Sequence, residues 1–523
     1  MKDTVSMYEF SGHVPAVVLR LDRNPFHHGT LGAVRSLGRK GVEVHAVVEA
    51  GGGPMQRSRY VRAVHGGPPG GLDPEAPEAL GECLLGVSER IGRPAVLIAM
   101  DDLSAIAVAR IAPVLAERFR IPHQPDGLPA RVADKAELSQ LCARWDIPHP
   151  ETVIPGSSAE AADAAWRLGL PAVAKWSRPW LLPTGSGLRS TTLVHTAAEA
   201  RRLYERSAEA GSRLLLQRFL PAGTDTDWFF HGAFGPGGRP LLTGSGRKDL
   251  SWPVRTGLTA VGRWLPDPAV EEAGLRIAER LGYQGILDLD FRRDENGCFR
   301  LVDFNPRPGA QFRLFTDAAG LDVVQAMYLD LTGQQVPDQS GGPGRVFLAE
   351  NYALLAAVRG RQLPLRRCGR RPGPAGEPGP GRGPGRKHAQ ERVTGRGKRR
   401  LKGRVEAAWF AADDLLPFLA MVAAFLVRGA DKGVRVLRRI PGRGRRTARA
   451  VARAPRQRAP SQPGGDQAPP GQPTVPAPQA PPSASGASGE SRAAVVPAEP
   501  ATPVVPPPPA PPEAAAPDEL LTR

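Results

Sequence analysis

The stretch 286–309, ILDLDFRRDENGCFRLVDFNPRPG, constrains the fold more than any other part of the chain. Asn-Gly sits between two runs in which apolar residues alternate with carboxylates. Such a dipeptide is a strong hairpin signal, because a type I′ turn needs φ > 0 at both central residues. With Asn296-Gly297 as a two-residue loop, Glu295 pairs with Cys298, Asp290 faces Asp303 and Asp288 faces Asn305. Side chains alternate along strands, so Leu287, Leu289, Phe291, Val302 and Phe304 share the opposite face and can enter a core. One face of the hairpin is then apolar and the other acidic. Directly opposed side chains lie about 4.5–5.5 Å apart at Cβ, where like charges repel. Arg292 and Arg300 could neutralise the acids on a solvent-facing strand. A hard divalent cation is the sharper reading, since Mg²⁺ takes oxygen ligands, commonly one or two carboxylates plus substrate phosphates. Asn305-Pro306-Arg307-Pro308-Gly309 favours the cation. Proline fixes φ, so Asn305 and Arg307 are held at the mouth of the hairpin, where an amide, a guanidinium and two acids suit Mg²⁺-bound triphosphate.

At 523 residues, 41% of them hydrophobic, the chain has room for two or three domains with sizeable cores. Its net charge of +17 is unevenly spread. Residues 359–460 hold 28 Lys and Arg against 6 Asp and Glu, which leaves 41 basic and 46 acidic residues for the remainder. The body is mildly acidic and the basic character belongs to a tail. Cys83, Cys142, Cys298 and Cys368 have no paired ligand spacing, which argues against zinc and against a disulfide framework. That pattern, and an N-terminus without the apolar core of a signal peptide, point to the cytoplasm.

Along the chain, Val14–Arg20, Val42–Val48 and Pro94–Met100 read as buried strands. A Gly-bearing loop and helix follow the first, and a helical run over Asp102–Phe119 follows the last. Strands alternating with helices imply a doubly wound parallel sheet, with ligands at the carboxyl ends of its strands. The positions offered there are Arg20, Asn24, His27, His28, Asp101 and Asp102, with loop histidines and a helix cap as the plainer alternatives. From Asp134 the pattern changes. The stretch 134–155, DKAELSQLCARWDIPHPETVIP, reads as a helix followed by a turn and a short strand, and a helix over Ser158–Leu168 precedes the strand Leu170–Trp176, which carries Lys175. A lysine among apolar strand residues is costly to bury unless it meets an anion, although an edge lysine can snorkel. The loop 183–190 holds Gly185-Ser186-Gly187, and successive backbone N–H groups in such loops can form anion nests. Strands are expected at Arg213–Pro221 and Trp228–Phe234, a loop-rich basic segment at Gly246–Trp264, and a helix at Ala269–Leu281.

Asp134-Lys135, the strand lysine of PAVAK (171–175), the glycine loop, LLLQRFLP (214–221) and the two-acid hairpin ending DFNPRPG occur in an order that resembles the ATP-grasp superfamily of carboxylate–amine ligases. The D-aspartate ligase-like and carbamoyl-phosphate-synthase-like branches are the ones it is similar to. The resemblance covers roughly residues 126–333. It implies an α/β pre-ATP-grasp domain at 14–125, an α+β ATP-grasp domain at 126–335 and a terminal helix/strand region at 336–365. ATP and Mg²⁺ (or Mn²⁺) are the implied cofactors. Lys135 and Lys175 would bind phosphates, with Gly185, Ser186 and Gly187 closing over them. Gln217, Arg218, Phe219 and Leu220 would contact the adenine, and Asp225 or Asp227 the ribose. Asp290, Asp303 and Asn305 match the metal positions, and Arg307 the arginine that stabilises the transferring phosphoryl group. The loop differs from the usual pattern in carrying SRPWLLP, and aspartate stands at 303 where glutamate is often found.

The implied chemistry is attack of a substrate carboxylate on the γ-phosphate, followed by capture of the acyl phosphate by an amine or thiol. Arg307 and Lys175 are the catalytic candidates; Arg20, His28, Arg247 and Lys248 are candidates for gripping an acidic small-molecule substrate. The competing reading is a non-catalytic ATP-binding scaffold whose basic tail contacts a membrane or nucleic acid. Residues 366–404 form a basic Gly/Pro-rich linker, and 441–523 are Pro/Ala-rich and expected to be disordered. Residues 405–440 can be helical. Their apolar run Leu415–Val427 is shorter than the roughly 20 residues needed to span a bilayer, which leaves a packed helix or a helix lying on a membrane surface. The basic run lacks interleaved aromatics, so nucleic acid is disfavoured as a partner. The sequence does not speak to oligomeric state.

Overall fold

β1 (Ala16–Arg20) is Ala-Val-Val-Leu-Arg and is buried along its whole length, as a parallel strand covered on both faces must be. It forms the centre of a five-stranded parallel sheet with β2 (Val44–Val48), β3 (Val61–Gly66), β4 (Ala95–Ala99) and β5 (Phe119–Arg120), in the order β3-β2-β1-β4-β5. The computed structural model describes residues 9–22, 24–49, 53–73, 76–183, 185–221, 223, 225–253, 257–338, 342, 344–360 and 404–439, with backbone alone at 358–360 and 429–439. The linker expected at 366–404, Arg404 apart, and the tail expected at 441–523 lie outside the described residues. The helical run expected from Asp102 to Phe119 is broken: Asp102–Arg110 is one helix, Ala112–Leu115 a short second one, and Phe119 is already in β5. Pro113 has no N–H to continue the first helix.

Two further sheets follow, the first antiparallel and the second antiparallel except at its last pair. β6 (Thr152–Val153), β7 (Ala172–Trp176), β8 (Thr191–Val194) and β9 (Leu214–Arg218) make a small sheet in the order β6-β9-β7-β8. β10 (Asp227–Phe234), β11 (Pro240–Trp252), β12 (Leu258–Trp264), β13 (Gly285–Arg293), β14 (Phe299–Asn305), β15 (Val346–Leu348) and β16 (Val405–Ala407) make a large one, in the order β14-β13-β10-β11-β12-β15-β16. The segment 246–264, expected to be loop-rich, is instead most of the β11–β12 hairpin. Its glycines allow close packing rather than breaking the strand: a Cβ at Gly246 would lie 2.6 Å from the Phe229 ring.

The stretch 404–439 belongs to the same compact unit as the preceding described residues. β16 pairs in parallel with β15, so this strand closes the edge of the large sheet. The helix Leu416–Arg439 lies against the first domain, with Met421 buried and Phe418, Ala424 and Phe425 packed against the same core as Phe26 and Trp409. Asp414 anchors it. Its carboxylate accepts from Arg35 Nε at 2.9 Å, Ser58 Oγ at 2.7 Å and the Arg59 amide at 2.9 Å, with both partners of the ion pair buried. Asp413 adds an exposed pair with Arg39 and accepts from the Tyr60 hydroxyl at 2.7 Å.

Candidate active site

β13 alternates Leu287, Leu289 and Phe291, buried in the core, with Asp288 and Asp290 on the other face. Asp288 pairs with Asn305 and Asp290 with Asp303, as the sequence predicts. The turn differs. Arg293 pairs with Phe299, so the loop spans 294–298, and the extra residue is absorbed by a bulge at Val302. Asp294 builds that loop by accepting from the Asn296 and Cys298 amides at 3.0 and 2.9 Å and pairing with Arg300 at 2.8 Å. The bulge also flips one expected core residue. Leu301 is buried in place of Val302, whose carbonyl faces inward and accepts from Lys175 Nζ at 2.8 Å.

The cations facing the acids are not Arg292 and Arg300; Arg292 pairs with Asp227 at 2.6 Å. Lysines from other elements do the work. Lys135, first residue of the helix Lys135–Arg144 capped by Asp134, contacts Asp303. Lys175 reaches the same site because β7 buries Ala172, Ala174 and Trp176 and so turns Val173 and Lys175 to the opposite face. Burial lowers the Lys175 pKa to about 8. Lys248 Nζ lies 2.7 Å from Asp290 Oδ1. Burial, Asp288 and Asp303 raise the Asp290 pKa, whereas Lys135 and Lys175 overcome burial to hold Asp303 below the ordinary carboxylate range. The proton affinities of the opposed pair are thus driven in opposite directions.

Arg307 has its Nε 3.1 Å from Asp102, NH1 3.5 Å from Asp288, and donates from NH2 to Asn305 Oδ1 at 3.0 Å. Asp288 also lies 2.7 Å from His231 Nε2. Gly309 covers this corner, and any Cβ there would overlap the His231 ring and the Asp288 carboxylate. His231 and Asp102 are the residues that sequence reasoning undervalued. Asp101, not Asp102, caps the helix, accepting from the Ser104 amide at 2.8 Å, which leaves Asp102 for Arg307. A polar residue inside Trp-Phe-Phe-His-Gly-Ala-Phe, an otherwise apolar strand, was the signal for His231.

Two adjoining cavities meet at Asp102, Lys248, Asp290 and Asp303. The smaller, ≈ 230 Å³, is lined by Lys135, Lys175, Gln217, Arg218, Phe219, Leu220 and Asp227. The larger, ≈ 1130 Å³, opens between the first domain and the hairpin and takes in Asp22, His27, His28, Glu49, Asn305 and Arg307. Several expected site residues are placed elsewhere. Gly185, Ser186 and Gly187 line neither cavity; the flanks Pro179, Trp180, Pro183, Ser190 and Thr191 do. Asp225 is exposed and paired with Arg247, which also holds Asp249 at 3.0 Å, so neither residue faces the cleft. Arg20 is spent on the loop after β1, donating from NH1 to the Asp22 and Asn24 carbonyls at 2.9 and 2.6 Å. His28 lines the large cavity but is wedged among Phe347, Tyr352 and Trp409, and burial lowers its pKa to about 3.

No protein-family model matches the chain. It is 24% identical over 238 residues to the carbamoyl phosphate synthase large chain, C-terminal section, of Methanopyrus kandleri, covering 42% of each protein. The chain therefore spans less than half of that relative. It is 23% identical over 228 residues to a D-alanine–D-alanine ligase of Pseudomonas putida, covering 40% of this chain and 68% of the ligase. Among solved structures, the biotin carboxylase domain of Hydrogenobacter thermophilus 2-oxoglutarate carboxylase, in complex with MgADP, ADP and bicarbonate, is 18% identical. It covers 62% of this chain and 71% of that one, with a TM-score of 0.46. The N5-carboxyaminoimidazole ribonucleotide synthetase of Thermus thermophilus is 15% identical, covering 62% and 80%, with a TM-score of 0.45.

Proposed function

We propose, from its membership of the ATP-grasp superfamily, that this chain is an ATP- and Mg²⁺-dependent ligase acting on a small-molecule carboxylate and an amine. The observation that carries the reading is the opposed pair Asp290–Asp303, ringed by Lys135, Lys175, Lys248 and Arg307 where two cavities meet. ATP would enter the smaller cavity, with adenine along Gln217–Leu220 and the phosphates towards Lys135 and Lys175. Of the two acids considered for the ribose, Asp227 lines this cavity and would be the one to meet it.

The donor set fits magnesium. Among the described residues no group of three or more His, Cys, Asp or Glu is placed to hold a metal alone, but two opposed carboxylates beside an amide are the oxygen donors Mg²⁺ takes, with phosphate oxygens and water as the other ligands. Asp290, Asp303 and Asn305 would hold the ion. When bound, Mg²⁺ would neutralise charge shared between the two carboxylates and the triphosphate. A carboxylate in the larger cavity, gripped by Arg307, would then attack the γ-phosphorus. The phosphorus–oxygen bond to ADP breaks and an acyl phosphate forms. An amine next attacks the acyl carbon, inorganic phosphate leaves, and the amine loses a proton. Arg307 and Lys175 serve the first step by bringing two anions together. The reading carries with it a cytoplasmic location, where nucleotide is supplied.

The test is ADP release with a panel of carboxylates and amines. ADP release dependent on both co-substrates supports the ligase. Tight Mg·ATP binding with no ADP release from any mixture would favour the non-catalytic scaffold, which has no need of Arg307 in the larger cavity.

Lys175 gives the reading a pH signature. Phosphate binding needs its charged form, and in the free protein that form is lost as pH rises through about 8. The bound triphosphate stabilises the ammonium, so its pKa rises on binding and a proton is taken up above pH 8. Mg·ATP affinity should therefore be flat below pH 7 and fall above pH 8, by at most about tenfold per pH unit. Calorimetric titration across pH 6.5–9 checks this, and Lys175→Arg should flatten the profile. An equally pH-dependent affinity in Lys175→Arg would remove Lys175 from the phosphate site.

A further inference from the structure

The helix Leu416–Arg439 is apolar nearly all round over its first three turns. A helix of that kind is ordinarily buried on every side. Here Phe418, Met421, Ala424 and Phe425 cover the first domain, and the opposite face stays bare: Leu416, Leu419, Leu426 and Val427 are 61%, 57%, 66% and 62% exposed. Leu415, 45% exposed, extends the same stripe one turn towards the Asp414 anchor. Nothing in the ligase reading uses this face.

Charge tells what covers it. Within the helix, residues 428–439 hold five Lys and Arg against one Asp, and residues 440–458 add seven arginines and no acid. A second copy of the chain would bring two such basic segments together, and like charges oppose that contact. Nucleic acid would meet the arginines and leave the leucines wet. An anionic lipid surface satisfies both, accepting leucines at the headgroup boundary and holding Lys and Arg at its negative potential. Among the described residues no helix is long and apolar enough to cross a membrane. We propose that the outer face of the helix 416–439 docks this protein on anionic membrane surfaces, lying in the interface.

Full-length protein should co-sediment with phosphatidylcholine vesicles containing phosphatidylserine and remain in the supernatant with phosphatidylcholine alone. The triple variant Leu416→Gln/Leu419→Gln/Leu426→Gln alters exposed side chains outside the ATP-grasp cleft. It should bind the anionic vesicles at least about tenfold more weakly, with its circular dichroism unchanged. Three results overturn the proposal. One is absence of binding to anionic vesicles. A second is wild-type binding by the triple variant, which would assign the attraction to the basic tail alone. The third is a concentration-dependent dimer in sedimentation velocity that the triple variant abolishes, which would make the stripe an interface between copies.

Discussion

Arg307→Ala is expected to lower the rate of ADP formation by on the order of 10²–10³-fold, the cost of losing one preorganised charge aimed at the transition state. Arg307 is held by Asp102 and Asp288 on two sides and by Asn305 on a third, so the guanidinium cannot swing away and reorganises little when charge develops. It lines the larger cavity and not the smaller, so Mg·ATP affinity should change far less than the rate. Arg307→Lys keeps the charge but supplies one nitrogen where Nε, NH1 and NH2 now serve separate partners, and should recover only part of the activity. Steady-state ADP formation and Mg·ATP titration, run on the same preparations, separate the two effects. Rates within a few-fold of wild type in Arg307→Ala would remove the residue from the chemistry.

The second large effect is on stability. Asp414→Ala leaves Arg35 buried without its counter-charge and strips the Ser58 hydroxyl and Arg59 amide of their acceptor. Breaking a buried pair by removing one partner costs roughly 3–5 kcal/mol. The helix 416–439 packs beside Phe26 and Trp409, and Trp409 in turn packs on His28 in the wall of the larger cavity. Denaturant unfolding of Asp414→Ala should show that loss, while Asp413→Ala, whose pair with Arg39 is exposed, should fall within about 1 kcal/mol of wild type. Equal midpoints for Asp414→Ala and wild type would mean that the C-terminal helix is not anchored there.

Much of this site is legible in the sequence because it rests on period-two alternation. Opposition of Asp290 to Asp303 follows from counting along the hairpin, and it survives an error in the turn because the bulge at Val302 restores the register before the acids are reached. Lys175 is legible for the same reason. The misplaced residues share a different cause, which is competition from polar partners, near or distant in sequence, that periodicity does not rank. Arg247 pairs with Asp225 from across a loop, and Arg20 is held by Asp22 and Asn24 two and four residues on. The hairpin of 246–264 is hidden by its glycines and Pro253, which read as a loop until the aromatic ring that Gly246 and Gly262 accommodate is known. The return of the helix 416–439 to the first domain depends on Asp414 finding Arg35, a contact 379 residues apart that no local pattern announces.

The central claim is that Asp290 and Asp303 face each other to hold a divalent cation on a nucleotide's phosphates. Mn²⁺ electron paramagnetic resonance with ADP tests it directly, since bound and free Mn²⁺ differ in signal. Wild-type protein should bind Mn²⁺ only together with ADP. Asp290→Asn and Asp303→Asn should weaken that binding by more than the roughly 10–100-fold that loss of an outer-shell partner costs. Thermal stability of the nucleotide-free Asp290→Asn protein should be retained, because one of two repelling carboxylates has been neutralised. Mn²⁺·ADP binding as tight in both variants as in wild type would contradict the account.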